Sequence, residues 1–213
     1  MKKIFRTAFI AGIIFATMLL TSCFDYVQGI SYKNGQYEIY YKLTFSKIIM
    51  ALAGEEATED DLIGEFAEGG PFDESEITEV DTDIEKGFEA RISIDPKTKD
   101  ADEKSLLPKK SGNKCYIPFT FAKDFSSDEL GMDDDESGMA YVMLSSVKCR
   151  VLVSKKIIQF VSRAYFEGTD GAYCSVPFYD YGDSFCIEVP LPLLMTSPSY
   201  RLDRIVLETA GEI

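Results

Sequence analysis

The sequence contains no histidine and no tryptophan among its 213 residues. Without histidine, the Ser-His-Asp and Cys-His catalytic arrangements cannot form, and the commonest general base is missing. The cysteines form no Cys-x-x-Cys pair, which disfavours a zinc site. There is also no glycine-rich nucleotide-binding motif and no P-loop. We therefore predict a protein that is not an enzyme and that uses no catalytic residue, metal or cofactor.

Basic residues are scarce as well. The chain has 22 Lys and Arg against 36 Asp and Glu, a net charge of −14. This balance disfavours nucleic acid as a partner, because nucleic-acid binding depends on neutralising phosphates. Four consecutive acids at residues 133–136 lack the alternating ligands and central glycine of a calcium loop. We interpret them as part of a solvated acidic loop at residues 123–138.

The N-terminus has the order of an export signal. Lys2, Lys3 and Arg6 precede residues 7–20, an uncharged and mostly apolar run of 14 residues. A membrane-spanning helix needs about 20 such residues, so the run fits a signal peptide better. The run ends in an aliphatic residue, two small residues and a cysteine, and this order resembles the bacterial lipobox: Leu20, Thr21, Ser22 and Cys23.

The lipobox resemblance implies a lipid anchor. In such proteins a diacylglycerol is attached to the cysteine thiol, and the chain is cleaved just before that cysteine. We therefore expect residues 1–22 to be a cleaved signal peptide and residues 23–213 a single extracytoplasmic domain, held by lipidated Cys23 on the cell membrane or outer membrane. Two or three acyl chains anchor a protein stably, whereas one holds it only marginally. A secretory signal with a chance cysteine and a short transmembrane anchor are the alternatives.

Alternating hydrophobicity predicts a mainly antiparallel sheet. Residues 25–33 and 36–45 flank Asn34-Gly35, a pair that favours a type I′ hairpin turn because both turn positions need positive φ. In the second run the apolar side chains share one face: Tyr37, Ile39, Tyr41, Leu43 and Phe45. Further strands are predicted at residues 77–84, 87–95, 115–121, 139–153, 157–166, 172–178, 185–191 and 202–208.

Two short helices are predicted between the second and third strands. Ser46 is a candidate N-cap for the first, which Gly54 ends, and residues 58–69 form the second. Residues 96–114 are polar and lysine-rich and are interpreted as a long loop. The pattern as a whole predicts an α+β fold, a mainly antiparallel β-sheet with two short helices packed on one face. Such an arrangement leaves room for an apolar cavity between the layers.

Four cysteines remain besides Cys23, and an even number in an exported protein permits two disulfides with three connectivities: Cys115, Cys149, Cys174 and Cys186. Cys115 and Cys149 lie on predicted strands that flank the acidic loop, both on the apolar side, which makes a cross-strand bond geometrically plausible. Cys174 and Cys186 straddle a turn near Tyr181, but Cys186 is out of phase with its apolar neighbours, so this pair needs a bulge. Buried, reduced thiols are the alternative.

Several segments together resemble LppM-type envelope lipoproteins: residues 33–35 (KNG), 46–47 (SK), 86–91 (KGFEAR), 151–157 (VLVSKKI) and 187–191 (IEVPL). The resemblance implies lipid binding in a β-rich pocket. The chain departs from the family in lacking its tryptophan-bearing strand, its Pro-Gly step and its C-terminal membrane helix. No binding residue carries over.

Two functions follow as hypotheses. The first is a membrane-anchored, non-enzymatic lipoprotein that binds a lipid or another apolar ligand between sheet and helices. The alternative is a structural or interaction lipoprotein that binds another envelope protein through its sheet and acidic loops. Arg91 and Arg163 each fall in an otherwise apolar strand and are predicted to point to solvent.

Overall fold

The computed structural model describes residues 24–47, 77–120, 147–169, 171–196 and 200–210. Strands dominate this part of the chain, as predicted. In chain order they are β1 Phe24–Lys33, β2 Gln36–Ser46, β3 Ile77–Asp81, β4 Glu85–Ile94, β5 Lys109–Ser111, β6 Lys114–Pro118, β7 Lys148–Ser154, β8 Arg163–Glu167, β9 Tyr173–Ser175, β10 Phe178–Asp180, β11 Ser184–Pro190 and β12 Arg204–Glu208. Two short helices accompany them, α1 Ala101–Ser105 and α2 Leu191–Thr196.

The predicted N-terminal hairpin is confirmed. Asn34 and Gly35 have φ values of 53° and 87°, so both turn residues occupy the left-handed region that a type I′ turn requires. The two strands stay in register from Phe24 opposite Phe45 to Lys33 opposite Gln36. The alternation therefore fixes which face of each strand turns inward.

Seven strands form the larger sheet, in the order β10-β11-β7-β1-β2-β4-β3. All of its pairs are antiparallel except β1 with β7, where Tyr26 lies opposite Cys149. β1 is thus the middle strand, hydrogen-bonded on both sides. The predicted antiparallel character is confirmed, and the parallel pair is an addition that the sequence did not reveal.

A second sheet of five strands, in the order β5-β6-β12-β8-β9, packs against the first. The two sheets share one hydrophobic core, to which each contributes the residues of its inner face. Across the interface the Tyr26 and Phe119 rings meet edge to face with centroids 6.1 Å apart. Phe119 also contacts Phe166 on β8, with centroids 6.1 Å apart. The described residues therefore form a two-layer β-sandwich with a filled interior.

A buried polar cluster crosses this interior. Gln28, fully buried on β1, donates from Nε2 to the Pro118 carbonyl oxygen at 2.7 Å. Its Oε1 accepts from the Tyr26 hydroxyl at 3.2 Å, and that hydroxyl lies 3.3 Å from Thr120 Oγ1. Burial raises the pKa of the nearby Tyr41 hydroxyl to about 12 despite a hydrogen bond with Thr120. These buried hydrogen bonds can form only when the two sheets are aligned as observed, and any other alignment would leave the polar groups without partners. The cluster therefore fixes the relative position of the two sheets.

One position in the larger sheet requires glycine because the backbones of two neighbouring strands approach each other closely there. Gly87 on β4 lies opposite Thr44 on β2. A Cβ atom at position 87 would stand 2.0 Å from the Leu43 carbonyl oxygen and 2.7 Å from Thr44 Cα. Both distances are far below van der Waals contact, and both partners are backbone. The pairing of β2 with β4 therefore requires glycine at this position.

The predicted helices on one face are not confirmed. Ser46, the expected N-cap, is the last residue of β2, and residues 48–76, which hold the rest of both predicted helices, lie outside the described residues. The predicted loop at residues 96–114 contains α1 and β5 instead. Asp100 caps α1 because its side chain accepts from the backbone nitrogens of Asp102 and Glu103, at 2.8 and 3.3 Å.

Two strand predictions were wrong in their bounds. The strand predicted at residues 157–166 begins at Arg163, because Ile157 closes a turn by donating to the Ser154 carbonyl at 2.9 Å. The strand predicted at residues 172–178 is two strands, β9 in the smaller sheet and β10 in the larger one. Pro177, which has no N–H for a ladder bond, lies between them.

Candidate functional site

The predicted lipobox, Leu20 to Cys23, lies outside the described residues, which begin at Phe24. Phe24 is already the first residue of β1 and pairs with Phe45. A lipid on Cys23 would therefore be attached next to the middle strand of the larger sheet. Ten residues of β1 extend over about 30 Å, so the Asn34-Gly35 turn lies that far from the attachment point.

The larger sheet has a cavity on its outer face, the face directed away from the shared core. This outer-face cavity has a volume of about 600 Å³ and covers the half of β1 that is remote from Phe24. Its floor is formed where Gly29 lies opposite Tyr40 on β2 and Leu152 on β7. The absence of a side chain at Gly29 creates the depression between these two neighbours.

Beside this floor runs a row of small hydroxyl side chains, here called the serine row: Ser31, Ser93, Ser154 and Ser184. Ser184 lies opposite Ser154, and Ser31 lies opposite Glu38, which in turn lies opposite Ser93. The β1–β7 register, continued by one residue, places Ser154 beside Ser31. The row therefore crosses five adjacent strands and lines the outer-face cavity with hydroxyl groups.

Tyr40 forms a rigid wall of the cavity. Its hydroxyl donates to Glu89 Oε2 at 3.0 Å, and the Arg91 guanidinium lies 4.7 Å from its ring centroid. Burial, followed by the Glu89 hydrogen bond, raises the pKa of Tyr40 to about 12. The ring thus stays a neutral phenol at physiological pH and holds Arg91 above it by a cation–π contact.

Ion pairing differs between the two halves of this outer face. Near the start of β1, the cations are paired with acids: Lys42 with Glu85 at 3.0 Å, Arg150 with Asp25 at 2.7 Å, and Lys148 with Glu188 at 2.5 Å. In the cavity, Lys33 and Arg91 form no ion pair with any residue that the structure describes. Glu38 and Asp183 line the same cavity. The site therefore presents two cations and two acids to whatever enters it.

The outer face of the smaller sheet also has a cavity, of about 570 Å³, but the charged side chains that line it are paired with one another. Lys114 pairs with Glu167 at 2.8 Å and Arg163 pairs with Glu208 at 3.0 Å. The hydrogen bond to Glu167 holds the pKa of Lys114 well above its usual range. Arg163 and Arg91 are both exposed, which confirms the prediction that they point to solvent. Because its charges neutralise one another, this face is less suited to a ligand than the outer-face cavity.

The sequence predicted an apolar cavity between a sheet and two helices, and those helices lie outside the described residues. The space between the two described sheets is occupied by side chains of both, including Ile117, Val151 and Leu207, each fully buried. The acidic loop at residues 123–138 also lies outside the described residues.

In the part of the chain that is described, no group of three acidic or cysteine side chains could hold a metal ion. Among the same residues, no helix has the length and apolarity needed to cross a bilayer.

The four cysteines besides Cys23 are free thiols. Cys115 lies in the smaller sheet and Cys149 in the larger one, so they are not on the neighbouring strands that the predicted cross-strand bond would join. Cys149 pairs with Tyr26, whereas Cys115 lies near Tyr37, which pairs with Tyr32 toward the opposite end of β1. Cys174 and Cys186 are likewise on different sheets, because Pro177 separates β9 from the β10–β11 hairpin.

The thiols should differ strongly in reactivity. Burial raises the pKa of Cys115 to about 11 and raises the pKa values of Cys149 and Cys186 too, whereas Cys174 is half-buried. We expect Cys174 to be alkylated by iodoacetamide at least about tenfold faster than the other three in the native protein, because alkylation needs an accessible thiolate. The rate at Cys115 should still be rising with pH where an ordinary thiol, with a pKa of about 8.5, has levelled off.

Peptide mass spectrometry of the alkylated chain measures these rates. In denaturant all four cysteines should react alike, which serves as the control. Native modification of Cys149 or Cys115 as fast as that of Cys174 would contradict the described burial.

The chain matches no protein-family model, no curated protein and no solved structure. The lipobox and LppM-type resemblances therefore stay predictions, and the site has to be interpreted from its own geometry. Sequence reasoning missed the outer-face cavity. The available signals were a glycine in the middle of a predicted strand and serines within or next to several predicted strands.

Proposed function

We propose that this chain is a lipid-anchored, non-enzymatic lipoprotein of the cell envelope that binds a component of its surroundings on the outer face of the larger sheet. The proposal combines a sequence feature with a structural one. The lipobox places the anchor on Cys23, and β1 begins at the next residue. The outer-face cavity covers the far half of the same strand.

The position of the cavity relative to the anchor is the observation that carries this proposal. With no spacer between Cys23 and β1, the sandwich would stand with the start of β1 at the bilayer. Lys33 and Asp183, which line the cavity, would then lie toward the other end, about 20–30 Å from the lipid surface. The cavity would open to the extracytoplasmic space and would be accessible to large envelope components.

Binding within the sandwich is supported less well. The described core is filled by side chains from both sheets and holds a glutamine, Gln28, whose amide oxygen and nitrogen both form hydrogen bonds. An acyl chain entering there would have to displace close-packed residues, each of which contributes about 1.5–3 kcal/mol through its own burial. The outer face requires no such displacement, which favours the interaction hypothesis over an interior lipid site.

Lipid attachment at Cys23 is tested by metabolic labelling. Cells fed a clickable palmitate analogue should yield a labelled, membrane-bound protein, and Cys23→Ser should lose the label and remain uncleaved, because both modification and cleavage need the thiol. Cys174→Ser is the matched control and should keep label and location. An unlabelled wild-type protein in the soluble fraction would refute the lipid anchor.

A further inference from the structure

Gly29 lies in the middle of β1, where its own backbone does not demand glycine. Its φ is outside the left-handed region, and a Cβ there would meet Tyr40 Cβ and Cδ1 at 3.5 and 3.6 Å, which are ordinary contacts. Glycine inside a strand nevertheless costs about 0.5–1 kcal/mol relative to alanine. At Gly87 the fold itself explains the glycine, whereas at Gly29 it does not. A strand glycine without a steric cause indicates that another group approaches the backbone there.

The groups around Gly29 define the chemistry of that other group. Ser31 Oγ donates to Glu38 Oε2 at 3.4 Å, and Ser154 Oγ accepts from the Lys156 nitrogen at 3.3 Å. A hydroxyl with one such bond can still accept or donate another, so the serine row can exchange hydrogen bonds of both kinds with a ligand. Lys33 and Arg91 can donate to the ligand, and Glu38 and Asp183 can accept from it. A simple anion would be repelled by the two carboxylates. An apolar ligand would bury these polar groups without partners, which is costly. A ligand that carries many hydroxyl groups, each able to donate and accept, satisfies both kinds of lining residue.

An exposed aromatic side chain stands at one end of the serine row. The Tyr181 nitrogen donates to the Ser184 carbonyl at 2.9 Å, which places Tyr181 beside Ser184 on the outer face, and its side chain is 66% exposed. Tyrosine offers an apolar ring face together with a polar hydroxyl, which suits the C–H face of a sugar ring. From Tyr181 on the β10 side to Ser31 on β1 there are three strand spacings, about 14 Å.

We infer that the outer-face cavity binds an oligosaccharide, with one sugar ring over Gly29 and Leu152, its hydroxyls bonded to the serine row, and a neighbouring ring on Tyr181. This inference rests on the proposed function and specifies its ligand class. The length of the row suits several linked sugars better than a monosaccharide. The balance of two cations and two acids matches a polyhydroxylated ligand rather than a strongly charged one.

The test uses the full chain, purified in detergent from its own membranes, and isothermal titration with three uncharged hexasaccharides, those of N-acetylglucosamine, mannose and glucose. At least one of them should bind. Gly29→Val, which fills the floor of the cavity, and Tyr181→Ala should each weaken that binding by about tenfold or more. Tyr173→Ala removes an equally exposed tyrosine (58% exposed) from the smaller sheet and should leave binding unchanged.

Gly29→Val could lose binding simply because it misfolds, and Gly29→Ala controls for this, because the Cβ of alanine fits the native contacts. The melting temperature of Gly29→Ala should be no lower than that of the wild type, and its affinity for the sugar should still be weaker. The inference fails if none of the three sugars binds, or if binding is indifferent to Gly29→Val and Tyr181→Ala. Two further measurements separate this inference from the proposed function: lipid labelling of Cys23, and cross-linking of the wild type and Gly29→Val in intact cells. Suppose that no sugar binds, that Cys23 carries lipid, and that the wild type cross-links to an envelope protein that Gly29→Val does not. The ligand class is then wrong, and the proposed function holds. An unlabelled Cys23 removes the proposed anchor whatever the sugars do.

Discussion

Replacing Gly87 by alanine is expected to destabilise the fold severely. The new Cβ would stand 2.0 Å from the Leu43 carbonyl oxygen and 3.0 Å from the Leu43 carbonyl carbon, and neither can move without displacing β2. Relief of this overlap would break the β2–β4 ladder, in which ten residues of β2 are paired. We expect a loss of about 4 kcal/mol or more in the free energy of unfolding, a large part of the 5–15 kcal/mol typical of a domain.

Urea denaturation followed by circular dichroism measures this loss, since the chain has no tryptophan for fluorescence. Gly29→Ala is the matched control, because it adds the same methyl group to the same sheet face at a position where its nearest neighbours, Tyr40 Cβ and Cδ1, lie at ordinary contact distances of 3.5 and 3.6 Å. It should change stability by less than about 1 kcal/mol, in the stabilising direction. A Gly87→Ala protein that unfolds at the wild-type urea concentration would show that β2 and β4 do not approach as described.

Replacing Gln28 by alanine is expected to give the second-largest loss. The substitution leaves a cavity in the core and removes the partner of the Pro118 carbonyl, which now accepts from Gln28 Nε2 at 2.7 Å. It also removes the acceptor of the Tyr26 hydroxyl. A buried polar group left without a partner costs about 1–3 kcal/mol, and the cavity adds to this cost. We expect the free energy of unfolding to fall by about 3 kcal/mol.

Gln36→Ala provides the comparison, because Gln36 is exposed at the start of β2. Its effect should lie within about 0.5 kcal/mol of zero. Equal effects of the two substitutions would mean that Gln28 is not buried between the sheets. A methionine at position 28, similar in volume but without an amide, should recover part of the packing and none of the hydrogen bonding, which separates the two contributions.

The elements that the sequence predicted well are those set by local geometry. The β1–β2 hairpin follows from alternation and from Asn34-Gly35, and the structure has both strands and the turn; burial follows the predicted alternation as far as Tyr41 and departs from it at Thr44 and Ser46, which are buried. The wrong bounds arise where local signals conflict with sheet membership. Residues 172–178 alternate like one strand, yet Pro177 divides them between two sheets. The helix at Ala101–Ser105 had a recognisable cap in Asp100 but is only five residues long, too short for an apolar stripe.

The candidate site could not be predicted in the same way. Its lining comes from β1, β2, β4, β7 and β11, and these strands become neighbours only through long-range pairing. Alternation places Ser31 and Ser154 on outward faces but does not say that β1 lies beside β7. Within the described residues Lys33 and Arg91 form no ion pair, and this too depends on the strand order, because a different order would have brought other acids close to them.

The parallel pairing of β1 with β7 also affects how the chain must be assembled. Tyr26 meets Cys149 across more than a hundred intervening residues, so the middle of the larger sheet closes late and at a high cost in loop-closure entropy. Until residues 148–154 arrive, one edge of β1 presents unsatisfied amides and carbonyls that can recruit the same strand from another copy. A nascent or truncated chain that stops before this segment is therefore aggregation-prone.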